Sequence, residues 1–183
     1  LGLDQPVAAF EAALSTHPLL GPLIRACPDL RIPQAATPFE ALAWAISSGR
    51  FGGVECSVNL FDQGSLAGPL AQAGERGLGV IAKRPLGNAP WRFAQRPVGD
   101  YCETYWLRLQ ALAYDTTGLP WDELALRFAA HGPEVSCAIV GTSSVEHLRH
   151  NVALAAKGPL PADQVAAIRQ RFAAVGAGWP GEV

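Results

Sequence analysis

Three short apolar runs alternating with helix-period segments constrain this chain more than any other feature. Val54–Leu60 (VECSVNL), Gly79–Ala82 (GVIA) and Val135–Val140 (VSCAIV) read as strands. Between and after them, helical spacing predicts helices over Leu66–Ala73, Asp100–Tyr114, Trp121–Ala130, Val145–Ala156 and Ala162–Ala174. Pro120 sits in a first-turn position, and the last helix is amphipathic through Val165, Ile168 and Phe172. Strands separated by whole helices predict parallel pairing through crossover connections. A run apolar at every position, such as GVIA, suits a strand covered on both faces. The class is α/β. Three parallel strands cannot close a barrel, so the sheet is expected to carry open edges that something else must cover.

Upstream the signals differ. Pro6–His17 places Val7, Phe10 and Leu14 at helical spacing, and Pro18–Ala26 reads as a poorer helix interrupted by Gly21 and Pro22. Pro28 and Pro33 bracket an extended stretch, Asp29–Ile32. Thr37-Pro38-Phe39-Glu40 forms a capping box that opens a helix over Glu40–Ser48, ended by Gly49, Gly52 and Gly53. The chain is therefore divided into a helical segment over residues 1–36 and an α/β region over residues 37–183.

The 183 residues are 49% hydrophobic with a formal net charge of −2, which suits one compact domain. A complete (β/α)8 barrel typically needs roughly 250 residues. The near-neutral balance offers no global attraction for nucleic acid or an anionic membrane. No apolar run approaches the length of a membrane span and no leader is evident, so a cytoplasmic protein is expected. The chain has no methionine and begins at Leu1, so the start of the gene product is expected upstream. Cys27, Cys56, Cys102 and Cys137 show no CxxC spacing. Cys56 and Cys137 lie in strand-like runs and read as buried reduced thiols. His17 reads as a helix-end residue, and His131 is expected to meet the C-terminal carbonyls of its own helix. His147 and His150 share a helix face without a third ligand, so no metal site is expected. Trp91, Trp106, Trp121 and Trp179 read as packing residues, with Trp91 the one nearest a ligand.

Two stretches carry chemistry. In Ala138-Ile139-Val140-Gly141-Thr142-Ser143-Ser144-Val145-Glu146-His147, a buried strand runs through glycine and hydroxyl residues into a helix. Free backbone N–H groups and the positive end of the helix dipole make such a junction an anion site, and Gly141 admits close approach. Equally, Ser143 or Ser144 caps the helix; both readings can hold together. In Gly79-Val80-Ile81-Ala82-Lys83-Arg84-Pro85-Leu86-Gly87-Asn88, two cations leave the C-terminal end of a buried strand. They suit a nucleotide phosphate, or stand as solvated charges at a strand end.

VECSVNLFDQ, GLGVIAKRPLG and CAIVGTSSVEHLRHNVAL resemble strands six, seven and eight of an aldo/keto reductase, each with its following loop. The resemblance covers about residues 38–183 and implies a partial (β/α)8 barrel, TIM-type, with about three parallel strands. In that family NADPH, less often NADH, lies across the barrel mouth. The resemblance implies that Gly141 and Ser143 face the adenosine phosphate, with Thr142 in the same stretch, and that His147 and Asn151 lie near the adenine. Lys83, Arg84, Pro85 and Leu86 would line the pyrophosphate and ribose. Asn59 matches the strand-six pattern; Glu55 stands where a glutamine often meets the nicotinamide amide, and His150 where glutamate is frequent. The family's catalytic tyrosine, lysine, aspartate and histidine belong to its first four strands, for which this sequence has no matching segment. No catalytic residue is assigned.

Residues 1–48 (LGLDQPVAAFEAAL, HPLLGPLIRACPDLRIP, then TPFEALAWAISS) resemble a segment of bacterial alkylpurine DNA glycosylases of the helix-hairpin-helix superfamily. That family's hairpin and catalytic aspartate lie beyond the segment, and no basic hairpin for DNA phosphates is present. The sequence thus points to an NADP-binding fragment of reductase ancestry, inactive alone. The alternatives are a structural fragment oligomerising through open sheet edges, and a glycosylase-derived fragment.

Overall fold

A computed structural model describes residues 7–18, 20–26 and 46–182. The chain forms two compact units, Leu1–Ala41 and Leu42–Val183. The capping box at Thr37–Glu40 and the stretch Asp29–Ile32 lie outside the described residues; of the helix expected over Glu40–Ser48, residues 46–48 are described and helical.

In the first unit, α1 (Val7–Leu14) and α2 (Leu20–Ala26) are joined by a tight turn. The Gly21 N–H donates to the His17 carbonyl at 2.8 Å. A Cβ on Gly21 would strike the Ser15 carbonyl, so the turn needs glycine there. Pro22 interrupts nothing, because α2 starts at Leu20 and leaves the proline in its first turn.

The second unit is built on one open sheet of three parallel strands in the order β1 (Gly53–Ser57), β2 (Gly79–Lys83), β3 (Cys137–Ala138). Val54 pairs with Val80, and Ala82 pairs with both Cys56 and Ala138. A 3-10 turn at Gly64–Ala67 and helix α3 (Pro69–Glu75) connect β1 to β2. Helices α4 (Glu103–Leu112) and α5 (Trp121–Ala130) connect β2 to β3. The chain closes with α6 (Val145–Ala155) and α7 (Ala162–Val175). The α/β class and the parallel sheet flanked by helices are those the sequence predicts. Val54, Val80 and Ala82 from the strands pack with Leu70, Leu112, Leu124, Phe128 and Ile168 into one core. None of the described helices is long and apolar enough to cross a membrane.

Two strands are shorter than their apolar runs. β1 stops at Ser57 rather than Leu60 because the Asn59 side chain turns the chain. Its Oδ1 accepts the Phe61 N–H at 2.9 Å, and Asn59 and Asp62 exchange backbone hydrogen bonds at 3.1 and 3.3 Å. A side-chain oxygen that bonds two residues onward offers the backbone an alternative to the ladder. β3 shrinks to two residues at the sheet edge. There the Val80 N–H donates to Ser136 Oγ at 3.0 Å, so a side chain takes a ladder position. Edge placement also corrects the expectation for Cys137, which is exposed, while Cys56 is half-buried and Cys102 buried; all three are free thiols.

Helix α4 starts three residues later than its periodicity suggests. The Asp100 carboxylate accepts the Cys102 N–H at 2.7 Å, holding residues 100–102 in a turn. Ala113, with φ +43°, ends the helix.

Candidate functional site

Parallel strands place all their C-terminal ends on one edge of the sheet, so the segments leaving β1, β2 and β3 become neighbours. β1 leads into the Asn59–Asp62 turn, β2 into residues 84–88, and β3 into residues 139–144 and then α6. The Ile139 N–H donates to the Ala82 carbonyl at 3.0 Å, which brings the segment after β3 alongside Lys83.

At the β2 end, Lys83 is half-buried and paired in register with Ser57. Arg84 takes a left-handed backbone (φ +54°) that turns the chain out of the sheet. Its guanidinium carbon lies 4.9 Å from the Tyr101 ring centre. Burial on its own would lower the Arg84 pKa, but the neighbouring Tyr105 and Tyr101 outweigh it and raise it. Pro85 is buried and Leu86 packs against the core. Gly87 (φ +54°) approaches Phe61 so closely that a Cβ there would lie 2.5 Å from the ring. This contact seats the β2 loop on the β1 turn. Within that loop the Asn88 side-chain amide nitrogen is buried with no hydrogen-bond partner. Trp91, expected nearest a ligand, stacks on Trp121 with ring centres 6.1 Å apart.

At the β3 end, Gly141, Thr142 and Ser143 are exposed, and open space surrounds Gly141 where a side chain would begin. Ser144 caps α6: its Oγ accepts the His147 N–H at 3.3 Å, with its own N–H held by Thr142 Oγ1 at 3.1 Å. Of the two serines considered for the cap, the second takes it. His147 is exposed and Asn151 half-buried on α6. His150 reaches across to Asp122 of α5 at 2.7 Å. The His131 backbone N–H donates to the Arg127 carbonyl at the end of its own helix at 3.2 Å, as expected, while its ring bonds the Ala155 carbonyl of α6 at 2.9 Å. No group of three metal-binding side chains forms among the described residues.

The β1 end is closed. Asn59 is fully buried, and beyond its bond to Phe61 its Nδ2 donates to the Tyr105 hydroxyl at 3.4 Å. Glu55, on the same strand, is exposed. Over this end runs the C-terminal tail: Ser57 Oγ donates to the Glu182 carbonyl at 3.0 Å and the Glu182 N–H donates to Asp62 at 2.9 Å. Burial raises the Asp62 carboxyl above its usual range, against the bond from Glu182 and the pull of Arg108.

The sequence brings Lys83, Arg84, Gly141, Thr142 and Ser143 to attention, and the fold gathers them on one edge. It does not reveal that Tyr101, in the turn before α4, comes to lie beside Arg84. Nothing local marks Asp62, Arg108 and Glu182, which meet across the whole length of the unit.

Residues 54–171 match the profile of the aldo/keto reductase family, more than half of the chain. The match begins at residue 54, and nothing found supports the resemblance of residues 1–48 to DNA glycosylases. No curated protein sequence matches the chain. Among solved structures it is similar to the aldo-keto reductase AKR11C1 from Bacillus halodurans in its holo form, at 20% identity and a TM-score of 0.59, over 79% of this chain and 49% of that one. The apo form of the same protein matches at 20% identity and a TM-score of 0.58, over 79% of this chain and 50% of that one. The chain thus spans about half the length of these structures, and at such identity the likeness speaks for the fold. The family match runs through all three strands and most of the helices of the second unit: the chain belongs to the aldo/keto reductase family.

Proposed function

We propose that this chain is the cofactor-binding part of an NADP-dependent carbonyl reductase and holds the phosphates of NADP along the C-terminal edge of its sheet. One observation carries the reading: the parallel register of Ala82 with Ala138 makes the Lys83–Leu86 loop and the segment that runs through Gly141–Ser143 into α6 leave the sheet at the same end. Cationic side chains, exposed hydroxyls and a helix N-terminus are complementary to phosphate oxygens. The donor set fits the phosphate half of a dinucleotide. Gly141, Thr142 and Ser143 would take the adenosine phosphate, His147 and Asn151 the adenine side, and Lys83, Arg84, Pro85 and Leu86 the pyrophosphate and ribose.

The nicotinamide half fits less well. Asn59 has its amide engaged by Phe61 and Tyr105, and the C-terminal tail lies over the same end. When bound, NADPH supplies hydride to a carbonyl, and the reduction also needs a positioned proton donor. Tyr105 does not meet that need: it is 1% exposed, and burial raises its pKa. The family's proton donor sits on strands that precede the matched region. By this reading the chain alone binds cofactor and does not turn over.

The test is a titration of NADPH into the 183-residue chain followed by cofactor fluorescence, with Ser143→Glu as control. Saturable binding that is lost in the variant supports the phosphate site. The absence of binding at millimolar NADPH sinks it. An aldehyde added to the loaded chain is expected to leave NADPH absorbance unchanged.

A second reading, assembly through the open β3 edge, is favoured by exposed apolar residues. Val145, Leu148 and Val152 line one face of α6 at 60%, 51% and 61% exposure, and Ile139, in the segment after β3, is 48% exposed. Sedimentation would show a concentration-dependent mass above the monomer, and Leu148→Glu would abolish it.

A further inference from the structure

We propose that the C-terminal tail, residues 179–182, is an autoinhibitory strap: closed across the end of β1, it occupies the place of the nicotinamide half of a dinucleotide, and it opens to admit that half. This rests on the phosphate site proposed above and goes further by naming what controls the rest of the same sheet edge.

Strand order sets the location. The sheet runs β1-β2-β3, and adjacent strands lie about 4.8 Å apart. A ligand with its pyrophosphate at the end of β2 and its adenosine toward β3 and α6 continues, on its other side, over the end of β1. The tail lies there. Ser57, the last residue of β1, donates its hydroxyl to the Glu182 carbonyl at 3.0 Å, and the Glu182 N–H donates to Asp62 at 2.9 Å. Arg108 Nη2 holds the same stretch from α4, donating to the Pro180 carbonyl at 2.8 Å and to the Glu182 carboxylate at 2.9 Å. Under the tail Ser57 is 7% exposed and Asp62 4% exposed, so a ligand reaches neither while the strap is closed.

The contacts divide the tail into an anchor and a moving part. Trp179 is the anchor: its ring packs edge-on against Phe172 at 5.8 Å and closes on Gly176, where a Cβ would lie 2.8 Å from it. Beyond it, Pro180 and Gly181 are exposed and Glu182 is half-buried, so hydrogen bonds rather than apolar burial hold these residues. A segment held in that way opens locally well below the free energy of global unfolding. Opening frees the Ser57 hydroxyl, the Asp62 carboxylate and Arg108 Nη2 together. An amide and a ribose offer the matching groups: a carbonyl oxygen for the two donors, and an NH2 and hydroxyls for the carboxylate. Such a ligand replaces the tail's own carbonyls, carboxylate and N–H, so Arg108 and Asp62 stay paired in both states.

Two ligands separate the strap from the phosphate site on the 183-residue chain: NADPH, and adenosine 2′,5′-bisphosphate, which lacks the nicotinamide half. Amide exchange by NMR reads the strap through the Glu182 N–H, which Asp62 holds when it is closed. NADPH is expected to speed that exchange at least about fivefold, whereas adenosine 2′,5′-bisphosphate leaves it unchanged. Glu182→Ala removes the carboxylate tie and should raise NADPH affinity about two- to fivefold. Calorimetry should give adenosine 2′,5′-bisphosphate the same affinity for both chains, which controls for the lost charge. NADPH that binds while the Glu182 N–H stays protected overturns the strap, as does equal NADPH affinity in the two chains. Failure of both ligands to bind either chain overturns the phosphate site, and the occlusion with it.

Discussion

Arg108 and Glu182 stand 74 residues apart in sequence and meet at 2.9 Å, with the Arg108 side chain only 6% exposed. The same guanidinium donates to the Phe61 carbonyl at 3.1 Å and the Pro180 carbonyl at 2.8 Å, and lies over the rings of Tyr105 and Trp179. A buried arginine keeps its charge, so every donor it turns inward must be met. Here the C-terminal tail and the turn after β1 meet them together, which ties the last residues of the unit to the end of its first strand.

Removing that cation should cost more than removing its anion. Arg108→Ala leaves Glu182 and two carbonyls without their donor, and is expected to destabilise by about 3 kcal/mol, the low end for breaking a buried ion pair, because Glu182 keeps 29% exposure. Glu182→Gln retains an acceptor and should cost about 1 kcal/mol or less. Urea unfolding measures both. Equal losses in the two variants would show that the tail, and not the buried cation, is the source of the stability.

The neighbouring Asp62 predicts a pH dependence. Burial, the main cause, raises its folded pKa above the ordinary value of 3.8. The folded state therefore holds the proton more tightly than the unfolded state. The resulting stability is complete below the ordinary value and is lost as pH rises through the raised folded value. Asp62→Asn cannot ionise, and its side-chain oxygen can still accept from the Glu182 N–H. The variant should gain stability relative to the parent as pH rises across that window. Unfolding midpoints of the two chains that stay parallel from pH 3 to pH 7 would contradict the prediction.

Gly87 is a packing requirement as well as a backbone one. Alanine there would face the left-handed penalty at φ +54° and a Cβ 2.5 Å from the Phe61 ring. The two together are expected to cost about 2–4 kcal/mol. Phe61→Leu in the same chain should recover the steric share and leave the backbone share. A thermal melt of Gly87→Ala coincident with that of the parent would place the loop elsewhere than on the β1 turn.

The two serines before α6 should behave differently. Ser144→Ala removes the cap on the His147 N–H and is expected to cost about 1 kcal/mol, with faster hydrogen exchange in the first turn of the helix. Ser143→Ala, at an exposed position, should stay within about 0.5 kcal/mol of the parent. The reverse order would move the cap, and with it the proposed phosphate contact, by one residue.

What was legible in the sequence is what depends on near neighbours. The full apolarity of GVIA marked β2 as a strand covered on both faces, and strand–helix alternation predicted parallel pairing. The hydroxyl run before Val145 announced a capped helix start. Family resemblance in the three strand-and-loop motifs agreed with the profile match over residues 54–171. In each case the determining partners lie within a few residues or recur with a fixed period, so they leave a pattern along the chain.

The tertiary structure alone decided which of those residues are free to act. Asn59 became the pivot of a turn and the partner of a tyrosine 46 residues away. Arg84 came to lie against the ring of Tyr101 in the turn before α4, and Arg108 was sealed inside by a tail 74 residues downstream. β3 kept two residues of its apolar run, and Cys137 on it is exposed. Burial and hydrogen-bond partnership are set by segments that meet only after the chain has folded, and residue spacing carries no record of them.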